Sequence, residues 1–307
     1  MEWSGQLFNF LRTPPLVGEP LSRYTSLGVG GPADYLVFPG NMDELRAVLL
    51  LAREHHVPLF VLGHGTNLLV RDEGFRGVVI SLTSLCSCCE FFDGRVKAGA
   101  AVSLPWLARE IACRGLTGME FAAGIPGTLG GALYMNAGAF GCRIGDLVEE
   151  VVSINRDGCC RTRSRTDLAF SYRWSIFQED DDIILEAILA LQPGNREEIE
   201  EIQGRMLHER TVRHPRQSSA GSVFRNPREK GAGYLIEQAG LKGMKVGGAQ
   251  ISPMHGNFIV NTGNAAAADI LSLISVARER VKQIFGIDLE LEIRVIGGNR
   301  ENRGEDK

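Results

Sequence analysis

The placement of glycine constrains this chain more than any other feature of its sequence. Three clusters, SLGVGG (Ser26–Gly31), LGHGTNLLVRD (Leu62–Asp72) and GIPGTLGG (Gly124–Gly131), each lie beside a short apolar run. Glycine makes up 37 of 307 residues, about 12% against a background near ~7%. Clusters that flank apolar runs do not read as flexible linkers. Glycine there permits positive φ and lets backbone N–H groups approach a ligand closely. Successive N–H groups of this kind form a concavity for a phosphate oxygen. None of the three is the GxGxxG of a dinucleotide fold with an acidic residue ~20 positions on, and no Gly-Lys-Ser/Thr phosphate loop occurs. Any one cluster alone reads as a tight turn. Three in one chain predict loops wrapped around a phosphate-bearing ligand.

The length corresponds to two or three domains at roughly 100–200 residues each. A formal net charge of −4 gives no electrostatic case for a nucleic-acid partner. No stretch reaches the ~18 apolar residues of a membrane span, and MEWSGQLFNFLRTPP lacks the basic region and long apolar core of a secretory signal. A cytoplasmic protein, without membrane or nucleic-acid partners and monomeric, is the expectation. The cysteines, Cys86, Cys88, Cys89, Cys113, Cys142, Cys159 and Cys160, form no CxxC pair, so zinc spacing is missing and no metal is expected. Free thiols in a reducing compartment fit this pattern.

Strand and helix signals interleave. Strands are expected at Ala33–Phe38, Pro58–Leu62, Val78–Leu82, Glu150–Asn155, Ile183–Leu191, Asn257–Val260 and Leu289–Ile296. Helices are expected at Asp43–His55, Ser103–Cys113, Arg196–Val212, Gly233–Ala239 and Ala265–Phe285. The stripes Leu45, Val48, Leu49, Ala52 and Ile270, Leu273, Ile274, Ala277, Val281 carry helical spacing. Ser103 is placed to cap the helix bearing Leu104, Leu107, Ala108 and Ile111. Asp93-Gly94 marks a hairpin between Cys89 and Ala98, and Asp157-Gly158 another turn. Glu120–Gly145 reads as a long functional loop region. Hairpins mixed with helices favour an α+β fold over a doubly wound sheet.

Three polar segments complete the pattern. SYRWSIF sets Arg173 between aromatics, AGSVFRNP offers Ser222, Arg225 and Asn226, and LELEIRVIG alternates Glu290, Glu292 and Arg294 against an apolar face. Taken singly these read as a surface ion pair, a turn serine and a solvated strand face.

In order, the motifs YTSLGVGGPA, LGHGTNLLVRD, GIPGTLGGALYMNAGA, SYRWSIF, SAGSVFRNP, GAGYLIEQAGLKG, HGNFIVN and LELEIRVIG resemble the MurB family, the UDP-N-acetylenolpyruvoylglucosamine reductases, from about Tyr24 to Gly297. The glycine clusters also resemble the flavin site of the p-cresol methylhydroxylase and vanillyl-alcohol oxidase superfamily. The resemblance implies a two-lobed FAD-binding module, residues 1–82 and 83–207, and a UDP-sugar domain at 208–307. It implies non-covalent FAD, NADPH as co-substrate, and reduction of UDP-N-acetylglucosamine enolpyruvate to UDP-N-acetylmuramate for peptidoglycan.

Residue by residue, the resemblance puts flavin contacts at Tyr24, Gly30, Gly63, His64, Gly65, Thr66, Asn67, Gly124, Pro126, Gly127, Gly130, Gly131, Asn136 and Ala137. Arg173 matches the family arginine that stabilises the substrate carboxylate, Glu292 the glutamate beside it, and Ser222 the proton donor. Arg225, Asn226, Tyr234, Lys245 and His255 are the candidates for substrate binding. Only Arg228–Gly231 separate FRNP from AGYLIEQAGLKG, so the chain resembles the shorter subtype without a tyrosine-bearing loop. Two other readings stay open at this point. A flavin oxidase of the same superfamily would carry a covalent histidine, for which His64 is the place to look. A catalytically silent flavin-binding protein would have lost Arg173, Ser222 or Glu292, and all three are present.

Overall fold

The computed structural model describes residues 3–227 and 230–298, so Arg228 and Glu229 of the short connection lie outside the described residues. The chain divides into two compact units that are not consecutive in sequence. The first comprises 1–16, 35–63 and 77–210; the second comprises 17–34, 64–76 and 211–307.

In the first unit, α1 (Trp3–Phe10) packs on α2 (Met42–Glu54). Asn41 caps α2, its side chain accepting from the Glu44 N–H at 2.9 Å. The expected stripe of α2 is buried, and it shares one apolar core with Val78 and Ile80 of the Phe75–Ser81 strand. That strand runs parallel to Leu59–Leu62, in register from Leu59 opposite Val78 to Leu62 opposite Ser81. A five-stranded antiparallel sheet follows, with Cys160–Ser164, Val148–Ile154, Ile183–Ala190, Arg95–Gly99 and Cys89–Phe92 as its spatial order. The Asp93-Gly94 hairpin forms as expected, both residues having positive φ, 44° and 72°.

The helix α3 (Leu104–Cys113) buries its expected stripe, but Ser103 makes no side-chain cap. Its backbone instead bridges Thr128, with the Leu104 N–H donating to the Gly127 carbonyl at 3.0 Å. Inside the expected loop lies a short helix, α4 (Leu129–Tyr134), started by Thr128, whose Oγ1 accepts from the Gly131 N–H at 3.2 Å. The long helix α5 (Arg196–Arg213) is tied to α3 by Gln203, which donates to the Ala108 carbonyl at 2.9 Å.

The second unit has its own core, made by α6 (Ala232–Gln238), α7 (Ala267–Phe285) and an antiparallel sheet ordered Ser219–Ser222, Phe258–Asn261, Ala249–Ile251, Lys245–Val246. Asp72 supplies the start of α7, its two carboxylate oxygens accepting from the Ala267 and Ala268 N–H groups at 2.8 and 2.9 Å. The expected strand at Leu289–Ile296 is regular only over Arg294–Ile296, which pairs in parallel with Leu68–Val70. Upstream of it only an isolated bridge joins Leu291 to Phe224. Antiparallel sheets, hairpins and helices together make the fold α+β. Among the described residues no helix is long and apolar enough to cross a membrane.

Candidate active site

The first unit carries Arg173 on a two-residue turn. Ser171 and Trp174 exchange N–H donors at 3.1 and 3.2 Å, leaving Tyr172 and Arg173 at the tip. Arg173 has φ +55°, a conformation that a residue with a side chain seldom adopts and that clusters at functional sites. Its guanidinium donates to the Gly138 carbonyl at 3.3 Å and lies 5.4 Å from the Tyr172 ring centroid. A second arginine, Arg210 of α5, crosses Gly124, with Cδ 2.7 Å from where a Cβ on that glycine would stand. Burial, and then the charge of Arg173, lowers the Arg210 pKa from its ordinary value. Sequence reasoning missed Arg210, because α5 is polar all round and offers no periodic signal to single it out.

The glycine loop ahead of α4 holds unused donors. Among the described residues, the N–H groups of Gly127 and Thr128 donate to nothing, although Thr128 is only 4% exposed. Those of Gly130 and Gly131 are engaged, with Ala100 O at 2.8 Å and Thr128 Oγ1 at 3.2 Å, and hold α4 in place. Asn136 is engaged likewise: it donates to the Ser171 carbonyl at 2.7 Å and accepts from the Gly145 N–H at 3.1 Å. Ala137 contributes backbone bonds to Ala132 and Ile144. Gly63 and Pro126 are exposed.

The second unit holds the other flavin candidates. His64 and Gly65 N–H groups likewise find no acceptor among the described residues. Gly65 has φ +61°, and a Cβ there would fall on the Tyr24 carbonyl oxygen. Its own carbonyl accepts from the Ser26 N–H at 3.1 Å, and Ser26 Oγ donates to the Ser219 carbonyl at 2.7 Å. Tyr24 donates to Glu19 at 3.4 Å; burial, then Glu19, raises its pKa. Gly30 packs on Val70. Thr66 is half-buried.

Ser222 and Glu292 are brought together through the backbone. Ser222 follows Gly221, whose φ of +77° accompanies a register irregularity between Ser219 and Ser222. Such a bulge re-aims a side chain out of the ladder. The Glu292 N–H donates to the Val223 carbonyl at 2.8 Å, and the Arg225 N–H to the Glu290 carbonyl at 2.9 Å. Asn67 donates to the Glu292 carbonyl at 3.0 Å while its own carbonyl accepts from Arg294 at 2.9 Å. Asn257, 2% exposed, clamps Phe224, two residues beyond Ser222: it accepts from the Phe224 N–H at 2.9 Å and donates to the Phe224 carbonyl at 2.8 Å. A buried asparagine inside HGNFIVN was the available signal for it.

The substrate candidates separate. Asn226 accepts from Ala232, the first residue of α6, at 3.0 Å, and Tyr234 of that helix is exposed with Lys230 Nζ 5.9 Å from its ring. His255 packs against Gly233 of α6; its Nδ1 accepts from the Asn257 N–H at 3.2 Å, which puts the ring proton on Nε2. Burial, then Lys242, lowers its pKa. Arg225 reaches Glu290 at 3.7 Å, and its buried Nε has no partner among the described residues. Lys245 stands apart on the edge strand furthest from Ser222.

Comparison with known proteins agrees with this arrangement over nearly the whole chain. Residues 33–163 match the FAD binding domain family, and residues 213–296 match the C-terminal domain of UDP-N-acetylenolpyruvoylglucosamine reductase. The chain is 45% identical over 286 residues to the UDP-N-acetylenolpyruvoylglucosamine reductase of Caldanaerobacter subterraneus subsp. tengcongensis, covering 92% of this chain and 93% of that one. It is 41% identical to the Bacillus subtilis reductase over 93% of this chain and 95% of that one. The crystal structure of the MurB reductase from Thermus caldophilus superposes with a TM-score of 0.80 at 38% identity, covering 94% of this chain and 100% of that one. With the motif order and these full-length matches in agreement, the chain belongs to the UDP-N-acetylenolpyruvoylglucosamine reductase family.

Proposed function

We propose that this chain is a cytoplasmic, monomeric flavoenzyme that uses NADPH and bound FAD to reduce UDP-N-acetylglucosamine enolpyruvate to UDP-N-acetylmuramate, a peptidoglycan precursor. The flavin module spans 1–82 and 83–207, and the sugar nucleotide is handled by 208–307. The two family matches support a flavin module followed by a sugar-nucleotide domain. The unengaged N–H groups of Gly127 and Thr128 in the first unit suit phosphate oxygens, as do those of His64 and Gly65 in the second, and their glycine neighbours leave room for close approach. FAD, when bound, supplies hydride transfer from NADPH to C3 of the enolpyruvyl group.

The protein's own residues handle charge and the proton. Hydride at C3 leaves negative charge on C2 and the adjoining carboxylate of the sugar. The planar guanidinium of Arg173 suits that carboxylate in a bidentate pairing, and its attraction strengthens as charge grows. Glu292 helps polarise or protonate the same carboxylate. Ser222 donates the proton to C2; a serine is a weak acid, but an enolate-type carbon is a strong base, so the transfer runs downhill. Arg225, Asn226, Tyr234 and His255 bind the sugar nucleotide, in place of the longer subtype's tyrosine loop.

The observation that carries this reading is the anchoring of the Ser222 and Glu292 segments side by side through Val223, Asn67 and Asn257. The test is NADPH oxidation by the yellow protein with and without the enolpyruvyl sugar, followed by the mass of the sugar. Sugar-dependent oxidation and a gain of two hydrogens are expected. Oxidation independent of the sugar, with the sugar unchanged, would favour an oxidase instead.

A further inference from the structure

The turn that bears Arg173 is held from outside. A left-handed residue at the tip of a two-residue loop is ordinarily Gly or Asn, and here it is an arginine. The restraint comes from the C-terminal end of α4. Gln178 donates its side-chain amide to two carbonyls, that of Arg173 itself at 3.0 Å and that of Tyr134, the last residue of α4, at 2.8 Å. Ser175, fully buried, donates its hydroxyl to the same Tyr134 carbonyl at 2.7 Å. One helical turn end thereby receives two donors that its own helix cannot provide. Asn136, just beyond the helix, takes the Ser171 carbonyl on the other side of the turn.

From this geometry we infer that Gln178 is a positioning residue for Arg173, fixing the guanidinium by gripping the arginine's own peptide. The inference rests on the reading that Arg173 meets the substrate carboxylate. A primary amide has two N–H donors, and both are matched to carbonyl oxygens; the amide oxygen plays no part in the grip. The chemistry therefore asks for donors at this position. Lysine, with three donors and no acceptor, suits two carbonyls at the negative end of a helix. Glutamate, with acceptors only, is repelled by both. Methionine matches glutamine in length and offers no donor. A residue that merely fills space would instead rank by volume, with methionine close to glutamine.

The test uses the full chain loaded with FAD and follows flavin absorbance in the two half-reactions separately. Gln178→Met is expected to be reduced by NADPH at the wild-type rate and reoxidised by the enolpyruvyl sugar about tenfold or more slowly, the scale of a small misplacement at a reacting centre. Gln178→Lys should recover the reoxidation rate, and Gln178→Glu should be slower than Gln178→Met. Reoxidation of Gln178→Met at the wild-type rate, or no recovery in Gln178→Lys, overturns the inference, as does equal slowing of both half-reactions. If the methionine variant fails to hold FAD, the lysine–glutamate ordering decides in the same way. Arg173→Ala is the control: reoxidation unchanged in that variant sinks the parent reading, whereas slow Arg173→Ala beside unimpaired Gln178→Met sinks only the role of Gln178.

Discussion

Replacing Asn257 by alanine should destabilise the protein far more than the loss of one polar side chain suggests. Phe224 is 1% exposed, and its bridge to Leu291 leaves its own N–H and C=O turned away from that neighbour. Both of those groups bond Asn257, at 2.9 and 2.8 Å. Alanine removes both partners and admits no other, so two buried backbone groups are left unsatisfied at ~1–3 kcal/mol each. The sum is about 2–6 kcal/mol, or roughly 4–24 °C in the midpoint of thermal unfolding for a body of this size. Asn257→Asp should fare no better, since its carboxylate still accepts from the N–H but faces the Phe224 carbonyl without a donor. Because Phe224 follows Ser222 by two residues, both variants should also slow reoxidation of the flavin by the sugar. Thermal and denaturant unfolding of purified variants measure the effect. A loss below about 1 kcal/mol for both would show that the two Phe224 groups do not depend on the Asn257 side chain.

Two further outcomes follow from the same structure. Gly65→Val, whose side chain would collide with the Tyr24 carbonyl and forbid the +61° φ, should displace the His64–Asn67 loop and purify with little or no flavin absorbance; full FAD occupancy would remove this loop from the cofactor site. Cys86 has its thiol pKa pushed up to about 12, by burial first and by Glu186 next, so it should stay unreactive toward a disulfide reagent at pH 8 until the chain unfolds. Cys88, Cys113, Cys142, Cys159 and Cys160 are exposed and should react at once, and Cys89, half-buried with a raised pKa, more slowly; fast labelling of Cys86 would contradict its burial.

The regular elements were legible because their signals are local. The stripes of α2, α3 and α7 carry helical period and are buried as that period demands, and Asp93-Gly94 dictates its own hairpin. The short helix α4 was not legible, since LGGALY contains two glycines and is set by the Thr128 cap and by Ala100 and Val102. Ser103 looked like a cap, but the bridge to Thr128 claims its backbone instead. At Leu289–Ile293 the alternation is real, yet the backbone there bonds Val223 and Arg225 irregularly rather than forming a ladder. The proposed reacting residues were legible only through motif order. Their supports were not: Asn67 and Glu292 lie 225 residues apart, and Gln178 acts on a carbonyl that no side-chain pattern announces.

On the proposed mechanism, Ser222 delivers the proton to C2 after hydride has reached the sugar. Reduction of FAD by NADPH involves neither that carbon nor that proton. Stopped-flow flavin absorbance on Ser222→Ala should therefore show reduction near the wild-type rate and reoxidation by the enolpyruvyl sugar slowed about 10²-fold or more, roughly 3 kcal/mol. Ser222→Cys, which keeps a transferable proton, should regain part of that rate. Equal slowing of both half-reactions would rule out Ser222 as the proton donor, and would leave Glu292 as the residue to test for the proton.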